Sequence, residues 1–341
     1  MSNFDTEAVL AQFENSLREQ GFIIDKNIIA DGKIHRLRVA GDLGSKTSEA
    51  YALHLDGHPA GYIQNFKSGE GGIKWKYDGK VKYDTDYKAV YKKQIEENKQ
   101  KILARELELE LKYLQTADRL FAEYQAAKQA ENHSYLTKKE IDAGQDIKLD
   151  KNGNLLIPLQ DENGKLWSVQ RITQQGNKFI GAIRTTEEKG QNLEFPAKKK
   201  GCFYTSKPLD EQDEFIICEG YATAKTLENE LKKATIMAVD AGNLLFVAEK
   251  IHNLYPDKPI SIYADNDIAK NINVGLNKAL EVKEKIPVVK VFSPALNKDD
   301  VEQKLSDFND IKIKYGTLKN KIRAVSFSKK LEGNKESERE R

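Results

Sequence analysis

The chain has 341 residues, with 55 Lys and Arg against 53 Asp and Glu, for a net charge of +2. That length allows two or three domains with sizeable cores, and the near balance excludes global charge as the driver of partner choice, so any nucleic-acid contact must come from local patches. Two cysteines, Cys202 and Cys218, exclude a disulfide framework and a cysteine-rich zinc site.

Residues 4–20 predict an amphipathic helix, because Phe4, Val9, Leu10, Phe13 and Leu17 recur at steps of three and four, and Gly21 stops it. The polar, acidic start lacks the basic and apolar regions of a signal peptide, and no apolar run is long enough to span a membrane. The expected compartment is therefore the cytoplasm, with no membrane partner. Short strand-like pieces follow (FIID, KIHRLRV, YALHL, GYIQNF, GIKWKY), separated by glycine-bearing turns, and predict a small mixed or antiparallel sheet. Together these make an N-terminal α+β domain, 1–82. Within it, His54 and His58 flank Asp56, but Gly57 and Pro59 break a helix, so a turn is preferred to a zinc pair. Trp75, between Lys74 and Lys76, is read as core, with a nucleic-acid contact as the alternative.

Residues 84–131 contain no Gly or Pro and are rich in Glu, Lys, Gln, Ala and Leu. They predict a long helical linker, 83–132, a spacer rather than half of a coiled coil because the apolar seam is short and irregular. Strands return over 133–212: LLIPLQD and KLWSVQRI flank the turn Glu162-Asn163-Gly164, and KFIGAIR follows. Lys198, Lys199 and Lys200 lie beside Phe195, Phe203 and Tyr204, a pattern that could grip single-stranded nucleic acid by phosphate contact and stacking, or be a solvated loop. Over 213–316 apolar strands alternate with helices, which predicts parallel strands buried on both faces. Residues 317–341 are polar and charged, and predict a disordered tail.

The informative residues stand at strand ends. Glu219 follows EFIIC, and Asp265 and Asp267 follow PISIYA. In an open parallel sheet the site lies outside the carboxyl ends of the strands. Carboxylates converging there repel one another unless a cation neutralises them, and hard oxygen donors suit Mg²⁺ or Mn²⁺ and phosphoryl transfer. Taken singly, each acid is also compatible with a helix cap. Gly242 and Asn243, after TIMAVD, fall where a second loop could line the cleft or form an ordinary turn.

The stretch Glu219 to Ala224, EGYATA, resembles the signature of primases carried by conjugative plasmids, and the glutamate with the later Asp-x-Asp resembles the TOPRIM domain of primases, topoisomerases and some nucleases. Asp307 to Asp310 (DFND) resembles a third acidic motif of primase domains, and residues 155–184 resemble the segment that precedes TOPRIM in replicative primases. The N-terminal domain is similar to the leading domain of plasmid primase-like proteins.

The resemblance implies an α/β fold: a TOPRIM catalytic domain with a Rossmann-like parallel sheet, preceded by a small mixed α+β primase subdomain, the long helix and the N-terminal α+β domain. It implies that Glu219 acts as acid/base or stands at a metal, that Asp265 and Asp267 bind metal, and that Asp307 and Asp310 complete the set. Arg171, Lys178 and Arg184 match basic positions that face template and nucleotide, and Lys198, Lys199 and Lys200 join them as candidate nucleotide and DNA contacts. The activity implied is a DNA primase using Mg²⁺ or Mn²⁺, single-stranded DNA and nucleoside triphosphates in plasmid replication or conjugative transfer. It leaves room for a replicative helicase or a single-strand-binding protein as partner. Two departures stand out: there is no CxxC for a zinc ribbon and no Walker A pattern. A TOPRIM nuclease and a non-catalytic single-strand binder are the alternatives. Both cysteines sit in apolar segments and are read as structural thiols.

Overall fold

A computed structural model of the chain describes residues 4–39, 49–65, 72–80, 85–269 and 272–325. The chain divides into two compact units, Met1–Arg105 and Glu106–Arg341. Among the described residues no helix is long and apolar enough to cross a membrane.

The first unit opens with α1 (Thr6–Glu19), capped by Asp5, whose carboxylate accepts from the Glu7 and Ala8 amides. Strands β1 (Phe22–Ile23), β2 (His35–Val39), β3 (Glu49–His54), β4 (Ala60–Gln64) and β5 (Ile73–Lys76) pair in sequence order as an antiparallel meander. Phe13 and Leu17 of α1 pack with Leu37, Tyr51, Leu53 and Ile63 to form the core. Trp75 meets Phe13 edge-on at 4.9 Å, as a core residue does. His54 and His58 lie on either side of a turn, and His58 Nε2 stands 2.6 Å from the Tyr77 carbonyl.

Helix α2 (Thr85–Ala126) matches the long stretch without Gly or Pro, and the boundary between the units falls inside it. Next come β6 (Lys128–Gln129), α3 (Ser134–Lys139), β7 (Lys148–Leu149), β8 (Leu155–Gln160), β9 (Leu166–Ile172) and β10 (Lys178–Ile180). The strands form an antiparallel sheet in the order β10-β9-β8-β7-β6. The β8–β9 turn is the expected hairpin: Asp161 accepts from the Asn163 and Lys165 amides, and Gly164 takes φ 79°. Helix α3 falls where strands were expected to resume. It is six residues long, too short for helical periodicity to appear.

One face of this sheet, with Leu155, Ile157 and Leu159, joins the main core. Leu156 and Val169 on the other face pack on Leu120 of α2. On that side Arg171 is fully buried. Its guanidinium makes two bonds to Glu123, one to Asp150 at 2.7 Å and one to the Gly181 carbonyl.

After α4 (Thr186–Gly190) the chain builds β11 (Tyr204–Thr205), β12 (Phe215–Cys218), α5 (Tyr221–Leu231), β13 (Thr235–Met237), α6 (Leu244–Leu254), β14 (Ile260–Tyr263), α7 (Val274–Lys285), β15 (Lys290–Pro294), α8 (Lys298–Glu302), α9 (Phe308–Tyr315) and β16 (Ile322–Val325). The sheet order is β11-β13-β12-β14-β15-β16, with the middle four strands parallel and both edges antiparallel. The parallel expectation holds for the centre. At the edges it gives way to short strands that cap exposed backbone.

Residues alternate across the sheet. Phe215 and Ile217 join the core on the α6 and α7 side, while Ile216 and Cys218 join the core that includes α5 and α9. Strand β16 corrects the expected tail: Ile322 to Val325 pair with β15, where the alternation of charged and apolar residues had hidden a half-exposed edge strand. Residues 326–341 lie outside the described residues.

Arg171 is a sensitive point of this packing. Arg171→Met should cost about 3–5 kcal/mol in urea unfolding, because it leaves Asp150 buried and unpaired. A loss below about 1 kcal/mol, the range of an exposed pair, would contradict the structural role.

Candidate active site

Strand β12 runs out to β13 on one side, and the chain then crosses back to β14 on the other. The carboxyl ends of β12 and β14 therefore flank a topological switch point, where open α/β sheets place their ligands. Cys218 pairs with Tyr263, so Glu219 and Asp265 leave adjacent strands one residue out of register.

The turn into α5 explains most of EGYATA. Gly220 is the N-cap and holds no side chain over the helix start, where Lys178 Nζ would lie 3.7 Å from a Cβ placed there. Tyr221 is fully buried and accepts from the Gly144 amide. Ala222 and Ala224 are buried against the neighbouring elements, and Ala224 accepts from the Thr235 hydroxyl.

Between the two aspartates, Asn266 is buried. Its amide donates to the Ser306 carbonyl at 2.8 Å, and its side-chain oxygen accepts from Asn273 at 2.7 Å. Asn273 accepts in turn from the Asp267 amide and caps α7. Two residues on, Gly275 is the reason Glu219 fits: a Cβ there would stand 2.4 Å from Glu219 Oε1 and 2.9 Å from the Asp265 carbonyl. This glycine in the first turn of α7 was not singled out from sequence, although glycine inside a helix is a signal of close approach.

Asp307 caps α9 by accepting from the Asp310 amide at 2.7 Å. Lys139 of α3 reaches both, at 3.1 Å from Asp310 and 3.9 Å from Asp307. Sequence reasoning missed Lys139 because it missed α3. Asn309, buried between the two acids, donates to the Lys139 carbonyl and to Thr226, tying α3, α5 and α9 together.

A cleft of about 260 Å³ opens here, lined by Tyr135, Lys138, Lys139, Gln174, Gln175, Gly176, Lys178, Gly220, Ala222, Thr223, Asp265 and Asp307. Burial, then the charges of Glu219, Asp307 and Asp267, raise the Asp265 carboxyl well above the usual carboxylate range, against the pull of Lys178. Asp307 is raised by burial and by Asp310, with Lys139 opposing. Burial opposes the charge on Lys139, but Asp307 and Asp310 outweigh it and its pKa rises. For Lys178 burial wins over Asp307 and Asp265, and its pKa falls.

The donors fit a hard divalent cation. Asp265 Oδ1 is buried and accepts no hydrogen bond among the described residues. No three His, Cys, Asp or Glu side chains among those residues stand close enough to chelate one ion as they lie. Mg²⁺ does not require that, since it keeps several waters and is held by one or two carboxylates with substrate phosphates.

The other sequence-predicted residues lie elsewhere. Arg171 is fully buried in the ion pairs described above and does not line the cleft. Arg184 is exposed and donates to the Leu193 carbonyl. Lys198 pairs with Glu110 and stacks on Trp167, Lys199 pairs with Asp240, and Lys200 lies over Phe246. Of the aromatics beside them, Phe203 and Tyr204 are buried, and Phe195 is covered by Arg119 at 4.3 Å. Asn243 is buried and bonds Gly201, Cys202 and Ala238, so it clamps loops rather than lining the cleft. Both cysteines are buried, and burial pushes Cys202 up to about 11, far from a nucleophile.

The chain is 34% identical over 301 residues to DNA primase TraC of Escherichia coli, covering 84% of this chain and 27% of that protein. A second Escherichia coli protein of the same name is 32% identical over 303 residues, covering 84% and 20%. The chain is homologous to part of DNA primase TraC. It spans about a quarter of the length of these curated relatives. No family model matches the sequence. Among solved structures, the DnaG primase catalytic domain bound to ssDNA aligns with a TM-score of 0.40 at 13% identity, covering 61% of this chain and 76% of that one. The zinc-binding and RNA polymerase domains of the Aquifex aeolicus primase align at 0.36 and 14%, covering 94% and 85%.

The raised Asp265 carboxyl makes a prediction. A group whose folded pKa lies above its unfolded value contributes stability at low pH that is lost as pH rises through the folded value. In metal-free buffer, Asp265→Asn should therefore match wild type near the ordinary aspartate pKa and melt higher at neutral pH, by about 2–4 °C for each kcal/mol of relieved repulsion. Equal melting curves at neutral pH would contradict the crowding.

Proposed function

We propose that this chain carries the catalytic region of a TOPRIM-type DNA primase, which copies single-stranded DNA into short primers by metal-dependent nucleotidyl transfer, in plasmid replication or conjugative transfer. The observation that carries the reading is the meeting of Glu219 and Asp265 at the ends of adjacent central strands, with Asp307 and Lys178 in the same cleft. The homology to DNA primase TraC supports it.

In this reading Asp265, Asp267 and Asp307 would hold Mg²⁺ or Mn²⁺, with Asp310 behind Asp307. The metal, when bound, would draw charge from the triphosphate and lower the pKa of the attacking hydroxyl. The primer 3′-oxygen bonds to the α-phosphorus, the bond from that phosphorus to the bridging oxygen breaks, and pyrophosphate leaves with the electron pair. Glu219 accepts the hydroxyl proton directly or through water. Lys178 faces the charge that develops on the phosphates. Lys139 holds Asp307 and Asp310 in place. Nucleoside triphosphates and a single-stranded template are the substrates, and a helicase or single-strand-binding protein is a compatible partner.

The test is incubation with single-stranded circular DNA, Mg²⁺ and labelled nucleoside triphosphates. Wild type should yield short labelled oligomers, and Asp265→Asn should reduce them by at least about a hundredfold, as loss of a metal-positioning charge does. Full synthesis by the variant would overturn the site. Nicking of plasmid DNA without nucleotides would favour a nuclease, and binding without any product would favour a non-catalytic binder.

A further inference from the structure

Tyr135 reaches the cleft from α3 and is only 5% exposed. Its position is fixed from several sides. His133 caps α3 by accepting the Tyr135 amide at 3.2 Å, Asn309 donates to the carbonyl at the end of the helix, and a Cβ at Gly176 would stand 3.7 Å from the ring. The hydroxyl itself is buried with no hydrogen-bond partner among the described residues. Burial and the charge of Asp307 raise its pKa, against the Ala222 amide. An amide only donates, so the hydroxyl keeps its proton and that proton has no acceptor. A buried donor left unpaired costs stability, and phenylalanine would fill the same space without that cost. The hydroxyl therefore does nothing for the fold that the ring alone would not do.

Two further sets of donors stand beside it. Gly220 caps α5 without a side chain, so the first amides of that 11-residue helix have no side-chain acceptor, and Gly220, Ala222 and Thr223 line the cleft. Lys178 Nζ lies 5.8 Å from the centre of the Tyr135 ring and would stand 3.7 Å from a Cβ at Gly220. The cleft is thus two-sided. Asp265 and Asp307 offer oxygens to a cation, while Tyr135, the start of α5 and Lys178 offer hydrogen-bond donors and positive charge. One ligand group meets both demands: a phosphate, with oxygens for a cation on one side and for donors on the other. A sugar hydroxyl would not call on a lysine and a helix start.

We propose that the Tyr135 hydroxyl is a contact for a phosphate of the incoming nucleoside triphosphate, donating to one of its oxygens beside the α5 amides and Lys178. The inference rests on the primase reading and adds a residue to it. No proton is transferred: the hydroxyl donates a hydrogen bond and keeps its hydrogen.

The experiment is Tyr135→Phe in the full chain. Thermal melting should match wild type or rise, because the free protein loses no hydrogen bond. Calorimetric binding of inorganic triphosphate at fixed Mg²⁺ should weaken about tenfold, the value of one hydrogen bond to a charged group. In primer synthesis, KM for nucleoside triphosphates should rise by a similar factor, and KM for the template should stay near wild type. Lower melting would reveal a structural partner for the hydroxyl. Unchanged triphosphate binding would leave it without a ligand, and a loss confined to nucleoside triphosphates, with inorganic triphosphate unaffected, would place it on the sugar or base. Each of these would overturn the contact while wild-type synthesis still stood. A wild type that neither bound triphosphate nor copied any strand would instead sink the primase reading, and the contact with it.

Discussion

Mutual repulsion among carboxylates at the ends of β12 and β14 is the constraint around which the second unit is organised. Burial first, and then the like charges around it, raise the proton affinity of Asp265 well above that of an ordinary carboxylate. Uncompensated, the arrangement would relax by turning side chains outward. The surrounding residues prevent this. Asn266 anchors the loop from below, Asn273 ties that loop to α7, and Gly275 leaves room for the Glu219 carboxylate. Two lysines offset part of the charge, Lys139 at Asp307 and Asp310 and Lys178 across the cleft. The molecule bears a local cost in stability at the place where a cation and a triphosphate would relieve it.

Arg171 obeys the same physics with the opposite result. It is a buried cation held by two carboxylates and a carbonyl, so it acts as structure, whereas Asp265 is a buried acid with an oxygen left over. The distinction is invisible in sequence, where both are charged residues next to apolar strands. Burial and partner count separate them. A fully bonded buried charge holds elements together, and an incompletely bonded one is poised for a ligand.

Much of the second unit was legible because its strands are buried on both faces and read as short apolar runs. FIIC, TIM and ISIY needed no tertiary information, and the acids after the first and last of them follow from the rule for parallel sheets. The residues that shape the site were harder to see. Lys139 rides on a helix of six residues, Asn309 hides inside an acidic motif, and Gly275 matters through a carboxylate far away in sequence. The surroundings of the basic patch at Lys198 to Lys200 were hidden for a related reason: its aromatic neighbours alternate into the core or beneath an arginine, which composition cannot reveal.

The most direct measurement is calorimetric titration of the protein with Mg²⁺, and with Mn²⁺, at neutral pH in two buffers of different ionisation enthalpy. If crowding holds a proton near Asp265 and a divalent cation takes its place, binding must release protons, because the ligands must be deprotonated. The account predicts a buffer-dependent heat corresponding to net proton release in wild type, lost in Asp265→Asn. Metal binding with the same heat in both buffers, or no binding at all, would contradict it.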